Sequence, residues 1–121
     1  MNDQQLLELA AKAAGIGPLL CFESARNCLR IGDRNSYFLW RPLDDDGDAL
    51  RLAVKTGISI VFIEDHDSVA AEHSLHGVMI IEAMDDFGTR RAIVRAAAAI
   101  EAQGLKVKAE EFATARRKVD G

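Results

Sequence analysis

The chain has 121 residues, of which 49% are hydrophobic and 28% are charged. This length and balance are typical of one globular domain that buries its own core. No window approaches the run of about 18 apolar residues needed for a membrane span. The first residues are polar and acidic rather than basic and then apolar, so we expect a cytoplasmic protein.

The net charge of −4 is unevenly distributed along the chain. Residues 1–88 carry seven Lys or Arg against fifteen Asp or Glu, whereas residues 89–121 carry eight against four. A basic last quarter can bind nucleic acid or an acidic partner, and it can equally pair with the acidic part of the same protein. Overall acidity weighs against nucleic-acid binding, because neutralising phosphates supplies most of that affinity.

The first predicted elements are a helix and three strands. Asn2 and Gln5 form a capping-box pattern that predicts a helix over residues 3–14, and Gly15 ends it. Apolar runs at 19–22, 28–31 and 37–40, separated by turn-forming residues, predict a three-stranded meander. Cys21 and Cys28 are too few for a disulfide framework. A bridge between them requires that they lie opposite each other in a hairpin; otherwise they are reduced core residues.

The stretch 40–57 is the most distinctive in the sequence, with an aromatic strand end, an acidic turn and a helix that ends at Gly57. Aligned from Asp44, a calcium-binding EF-hand loop would need glycine at its sixth position and glutamate at its twelfth. The chain has Ala49 and Lys55 there. We therefore expect Asp45 or Asp46 to cap the helix instead.

The second half of the chain predicts two further strands and a long helix. Residues 58–63 and 77–81 are apolar on both faces, and residues 64–76 between them are interpreted as a loop with one helical turn around 69–71. Asp85 and Asp86 open a helix over 87–103 that Gly104 ends, and a short helix is expected from about residue 109. We detect no internal repeat.

This order of elements, αβββαββα, predicts an α+β fold with a mostly antiparallel or mixed sheet of about five strands. Strands that are apolar on both sides require cover on both faces. We therefore predict a three-layer αβα sandwich over residues 1–104, followed by a C-terminal extension over residues 105–121.

Four residues in the predicted loop are candidate metal ligands, namely His66, Glu72, His73 and His76. Imidazole and carboxylate groups are common zinc ligands, although this spacing matches no zinc-protease pattern. The ordinary alternative is that these are solvated loop residues. Under the first interpretation the chain is a metal-binding protein or a metal-dependent enzyme that uses the loop 64–76.

Three arginines of the last helix, Arg90, Arg91 and Arg95, are candidate partner-binding residues. Arg91 and Arg95 lie one turn apart, a geometry suited to phosphates or to an acidic protein. No aromatic residue is interleaved with them, so base stacking is not supported. A solvated face, or one that meets the acidic cluster of another copy, is the alternative to a nucleic-acid-binding module.

The sequence supports no particular reaction. None of the serines lies in a nucleophile-elbow pattern, and no glycine-rich phosphate-binding pattern is present. The sequence therefore predicts no catalytic residue and no cofactor, and it favours a protein that is not an enzyme.

Two segments carry a resemblance to a known family. The segment from Trp40 through Pro42 to Lys55, together with the segment from Thr89 to Ala98, resembles a family of small uncharacterised phage and prophage proteins with an αβα sandwich domain. The resemblance covers about residues 3–104, Arg41 stands where the family has asparagine, and the last seventeen residues are an extension. It implies a phage or prophage origin and the three-layer fold, and it implies no activity or site residues.

From these observations we expect a non-enzymatic accessory protein of a phage or prophage that acts through contacts with a host or phage protein. Its mixed charges favour self-association across a two-fold axis.

Overall fold

The structure is a computed structural model that describes residues 1–120, and the side chains of these residues except 106–109, 112 and 115–120. Its elements in chain order are α1 Asp3–Ala13, β1 Leu19–Glu23, β2 Cys28–Gly32, β3 Tyr37–Trp40, α2 Asp46–Thr56, β4 Ser59–Ile63, β5 Ser68–His73, β6 Val78–Ala83 and α3 Asp86–Asp120. Single-turn 3-10 helices, Glu64–His66 and Ser74–His76, lie on either side of β5. Across the described residues, no helix combines the length and apolar character needed to cross a bilayer.

The strands form two three-stranded antiparallel sheets. The first sheet has the order β1-β2-β3 and the second has the order β4-β5-β6. The predicted α+β class and antiparallel pairing are confirmed. The predicted number and order of elements are wrong, because the described chain has six strands in two sheets and the order αβββαβββα.

The missed element is β5, the central strand of the second sheet. The sequence predicts a loop over residues 64–76, with a helical turn at Val69, Ala70 and Ala71. Those three residues are buried in the strand. Alanine has low strand propensity, and polar residues flank this short apolar run, so local pattern favoured a loop. Pairing with β4 and β6 on its two sides overrides that local preference.

The two halves of the chain repeat one βββα arrangement, which the sequence did not reveal. Asn27 and Asp67 both adopt the left-handed conformation, with φ of 50° and 46°, immediately before the second strand of their sheets. Asp45 and Asp85 both precede the following helix and accept a hydrogen bond from the backbone N–H three residues on. Each pair is separated by 40 residues, so the second unit reproduces the turn and cap positions of the first.

The ends of α1 and α2 are set by local residues, as predicted. The capping box of α1 is present, with Asn2 Oδ1 accepting from the Gln5 N–H at 2.9 Å and Gln5 Oε1 accepting from the Asn2 N–H at 3.0 Å. Asp45 caps α2 by accepting from the Asp48 N–H at 2.8 Å. Gly57 ends α2 with a φ of 71°, a left-handed conformation that glycine adopts without steric cost.

The prediction that Gly104 ends the last helix is wrong. α3 continues through it to Asp120, which makes a helix of 35 residues, or roughly 52 Å at 1.5 Å per residue. Nothing lies within 4 Å of a Cβ placed on Gly104, so the residue is an exposed interior position of the helix. The predicted division of the chain at residues 104 and 105 stays a prediction, but one helix crosses it.

A single core joins the three helices to one face of each sheet. α3 packs against α1, α2, β5 and β6. The alanine run 96–99 contributes three fully buried methyl groups to α3, and Ala10 and Ala11 of α1 are also buried. Small residues on both helices allow their axes to approach closely. Leu29 and Ile31 from the first sheet and Val69 and Ala71 from the second complete this core.

Both cysteines are free. In the first hairpin Cys21 lies opposite Arg30, and Cys28 lies opposite Glu23. The two thiols are therefore not cross-strand partners, which is the arrangement that a bridge required. Burial raises the pKa of the Cys28 thiol, and the nearby Glu23 carboxylate raises it further.

Candidate interaction surface

The structure does not bring the four candidate metal ligands together. His66 lies before β5 and His76 lies after it, and the six-residue strand between them spans roughly 20 Å. Glu72 and His73 are consecutive strand residues, so their side chains lie on opposite faces. Only His73 and His76 approach, with ring centroids 4.6 Å apart. In the described part of the chain, no group of three or more His, Cys, Asp or Glu side chains is arranged to hold a metal.

Arg90 is used inside the molecule. Its Nε donates to the Leu43 backbone carbonyl at 2.8 Å, and its Nη1 donates to Asp46 Oδ1 at 2.6 Å. The contact spans 47 residues of sequence and ties the start of α3 to the turn before α2. The guanidinium is thus held at the acidic stretch that the sequence analysis singled out.

Arg91 and Arg95 hold two other elements. Arg91 Nη2 donates to Asp3 Oδ1 of α1 at 3.0 Å, and Arg95 Nη1 donates to Glu82 Oε1 of β6 at 2.6 Å. Burial raises the pKa of Asp3, but hydrogen bonds from Arg91 and Asn27 and the charge of Arg91 lower it more, so the pKa lies below its usual value. The three predicted partner-binding arginines therefore fasten α3 to three parts of its own fold.

Three carboxylates of the acidic stretch also accept hydrogen bonds from groups of the same chain. Asp45 caps α2, and Asp46 binds Arg90. Asp48 accepts from the Arg41 N–H at 2.9 Å and from Arg51 Nη2 at 2.7 Å. These contacts account for the carboxylates of Asp45, Asp46 and Asp48 as a helix cap and a strand-to-helix corner.

β4 is an edge strand of the second sheet, and apolar side chains on both of its faces are exposed. Ile60 and Phe62 lie opposite Ala71 and Val69, so they share the inner face that packs on the core. Val61 lies on the outer face. Phe62 is nevertheless 56% exposed and Val61 is 41% exposed. α3 packs over β5 and β6, which leaves β4 at the margin of the helical layer.

The outer face of the second sheet exposes apolar side chains, and Glu72 of β5 lies on the same face. Ala70 lies at its centre, between Val61 on β4 and Ile81 on β6. These larger neighbours bury Ala70 to 2% exposure while Ile81 and Met79 remain 48% and 62% exposed. The prediction that both faces of these strands are covered is therefore wrong for the outer face of the second sheet.

A cleft borders β4 on the inner side of the sheet. Its volume is about 320 Å³, and it lies between α2, β4 and the first turns of α3. Leu50, Ile60, Phe62 and Met84 form much of its apolar lining. Leu50 is exposed, and so is Val54 one turn further along the same face of α2. Exposed apolar side chains thus lie on both faces of β4 and on the adjoining face of α2, and Asp85, Asp86 and Arg90 also line the cleft.

The sequence contained the pattern of this surface but not its exposure. An uncharged strand that is apolar on both faces predicts that other elements pack on both faces. Only the tertiary structure shows that no element of the described chain packs on the outer face. Comparisons of this chain with protein-family models, with curated proteins and with solved structures found no match.

Proposed function

We propose that this protein is a non-enzymatic accessory protein that acts through protein–protein contacts and that its first partner is a second copy of itself. The observation that carries the proposal is the exposed apolar surface of the second sheet. Side chains of Val61, Phe62, Met79 and Ile81 are each more than 40% exposed. Val61, Met79 and Ile81 lie on the outer face of this sheet and Phe62 lies on its inner face, and exposed apolar surface of this kind marks an interaction site in proteins that are otherwise stable in water.

The proposal includes the three-layer αβα sandwich that the sequence predicts. The described chain covers one face of its second sheet with helices and leaves the other face open. A contact with another protein surface would supply cover that the chain itself lacks. The resemblance of residues 40–55 and 89–98 to phage and prophage proteins supports a phage or prophage origin, with action in the cytoplasm of the host cell.

The arrangement of charged residues supports contacts with protein rather than with nucleic acid. Arg90, Arg91 and Arg95 each bind a carboxylate of the same chain. The positive charge that phosphates would require is thereby offset within the fold. Binding through the apolar surface needs no such charge.

Light scattering across a range of protein concentrations tests self-association. We expect the wild-type mass to rise above the 13.2 kDa of one chain, because association removes Val61 and its neighbours from water. Val61→Glu places a charge in that surface and is expected to return the mass to one chain. Leu75→Glu makes a matched change at an exposed leucine outside the strands and is expected to leave association intact.

Two results would contradict the proposal. One is a wild-type mass of 13.2 kDa at every concentration up to the solubility limit. The other is equal loss of association in the Val61 and Leu75 variants, since that would assign the effect to net charge rather than to the surface.

A further inference from the structure

The four strand edges of the two sheets differ in how they are protected against pairing with another chain. Along β1 the pairing register shifts between Leu19 and Cys21, and such irregularities block edge-to-edge pairing. β3 has only four residues, and Pro42 follows shortly after it. β6 carries Glu82, which Arg95 holds, and α3 packs over that strand.

β4 has none of these protections. Its five residues, Ser59–Ile63, include no charge and no proline, and its five described pairs with β5 keep one register. A straight, uncharged, apolar edge is the kind that pairs with another strand. Its exposed edge is therefore explained if a further strand lies beside it.

From this we infer that β4 pairs with β4 of a second copy in an antiparallel arrangement, joining the two second sheets into one six-stranded sheet. The inference rests on the proposed function and identifies the partner and the contact. A two-fold axis between antiparallel edges runs perpendicular to the sheet, so the inner faces of the two copies lie on the same side.

The sequence of β4 is compatible with this symmetry. With the axis at Val61, all five residues of each strand pair, and Ile60 of one copy lies opposite Phe62 of the other. Ser59 then lies opposite Ile63, and Val61 lies opposite itself. Each contact joins uncharged residues that share a face, so the paired edge brings no like charges together.

The adjoining cleft extends the contact beyond the backbone. Leu50 lines the cleft together with Ile60 and Phe62, and Val54 continues the same exposed face of α2. A second β4 beside the first brings its own Ile60 and Phe62 to this margin of the cleft. A five-residue edge with this flank is at the small end of specific interfaces, so we expect a dissociation constant on the order of micromolar.

Cysteine cross-linking tests the predicted axis. Residues paired directly across antiparallel strands have Cα atoms about 4.5–5.5 Å apart, within the range that a disulfide spans. We therefore expect Val61→Cys, made in a Cys21→Ser background, to form a covalent dimer with oxidised glutathione as the oxidant. Met79→Cys in the same background is the control, because five strand spacings alone separate the two copies of Met79 by roughly 24 Å, and their offset along the strands separates them further.

Hydrogen exchange on the wild-type chain gives a test that needs no variant. Among residues 59–63, the amides that face away from β5 should exchange at least several-fold more slowly as protein concentration rises through the association range, whereas those of residues 78–83 should not change. A chain that self-associates without cross-linking at position 61 and without this protection would overturn the β4 contact while leaving the proposed function standing. A chain that stays monomeric at every concentration would overturn both.

Discussion

Comparing Arg90→Met with Asp46→Asn separates two contacts that the Arg90 side chain makes. The bond from Arg90 Nε to the Leu43 carbonyl is partly buried, and Leu43 itself is buried. The contact with Asp46 is an ion pair in which the carboxylate side chain is 79% exposed. Methionine keeps most of the aliphatic volume of arginine but donates no hydrogen bond, so it removes both contacts and leaves the Leu43 carbonyl without this donor.

The two contacts should contribute very different free energies. A hydrogen bond from a charged donor contributes about 1.5–3 kcal/mol, whereas an ion pair with an exposed partner contributes about 0–1 kcal/mol. We expect Arg90→Met to lower the free energy of unfolding by about 2 kcal/mol and Asp46→Asn to lower it by less than about 1 kcal/mol. Arg90→Lys keeps the charge without the planar donor geometry and should recover less than half of the loss.

Urea unfolding followed by circular dichroism measures these differences, at one fixed protein concentration because association shifts apparent stability. With a denaturant dependence of roughly 1.5 kcal/mol per molar, Arg90→Met should lower the midpoint by about 1.3 M. Equal midpoints for Arg90→Met and Asp46→Asn would refute the assignment of the larger share to the Leu43 carbonyl. Full recovery in Arg90→Lys would refute it as well.

Two further predictions concern α3 and α1. Gly104→Ala should raise the free energy of unfolding by about 0.5–1 kcal/mol, because alanine is favoured over glycine inside a helix and its methyl group meets open space here. Thermal unfolding measures this difference. A loss of stability would mean that the helix is interrupted at Gly104. Asp3 has a folded-state pKa below its usual value, so its contribution is present above the unfolded pKa and lost as pH falls through the folded one. Asp3→Asn should therefore flatten the decline of stability below about pH 4, and an unchanged slope in urea titrations over that range would contradict the Arg91 contact.

Local chemistry explains the elements that the sequence predicted well. The capping residues Asn2 and Asp45 act within three residues of their own positions, and Gly57 ends its helix through its own backbone conformation. Such features need no knowledge of the rest of the fold. The predicted strand at residues 37–40 likewise matches β3, because turn residues bound it on both sides.

The features that the sequence did not predict depend on distant residues. β5 is a strand because β4 and β6 pair with it, and its own alanines do not require that conformation. The partners of Arg90 and Arg91 lie 44 and 88 residues away in sequence, so the pattern on α3 alone suggested an open basic face. Replacing all three arginines with alanine would release α3 from α1, the α2 corner and β6 together. Weaker retention of nucleic acid in that triple variant would therefore not distinguish a loss of structure from a loss of binding.

The position of β4 at an edge of its sheet has a physical interpretation in the proposed dimer. The residues Ser59–Ile63 have the composition of a strand inside a sheet, and the described chain places them at an edge. Pairing with a second copy would make β4 an interior strand of six, which suits a strand that carries no charge and no proline, although it would not cover the outer face of the sheet. The equivalent strand of the first unit, β1, carries a register shift and ends in Glu23. The two units thus share one βββα arrangement, but only the second has an edge suited to association, and the tests at Val61 and Met79 address that difference directly.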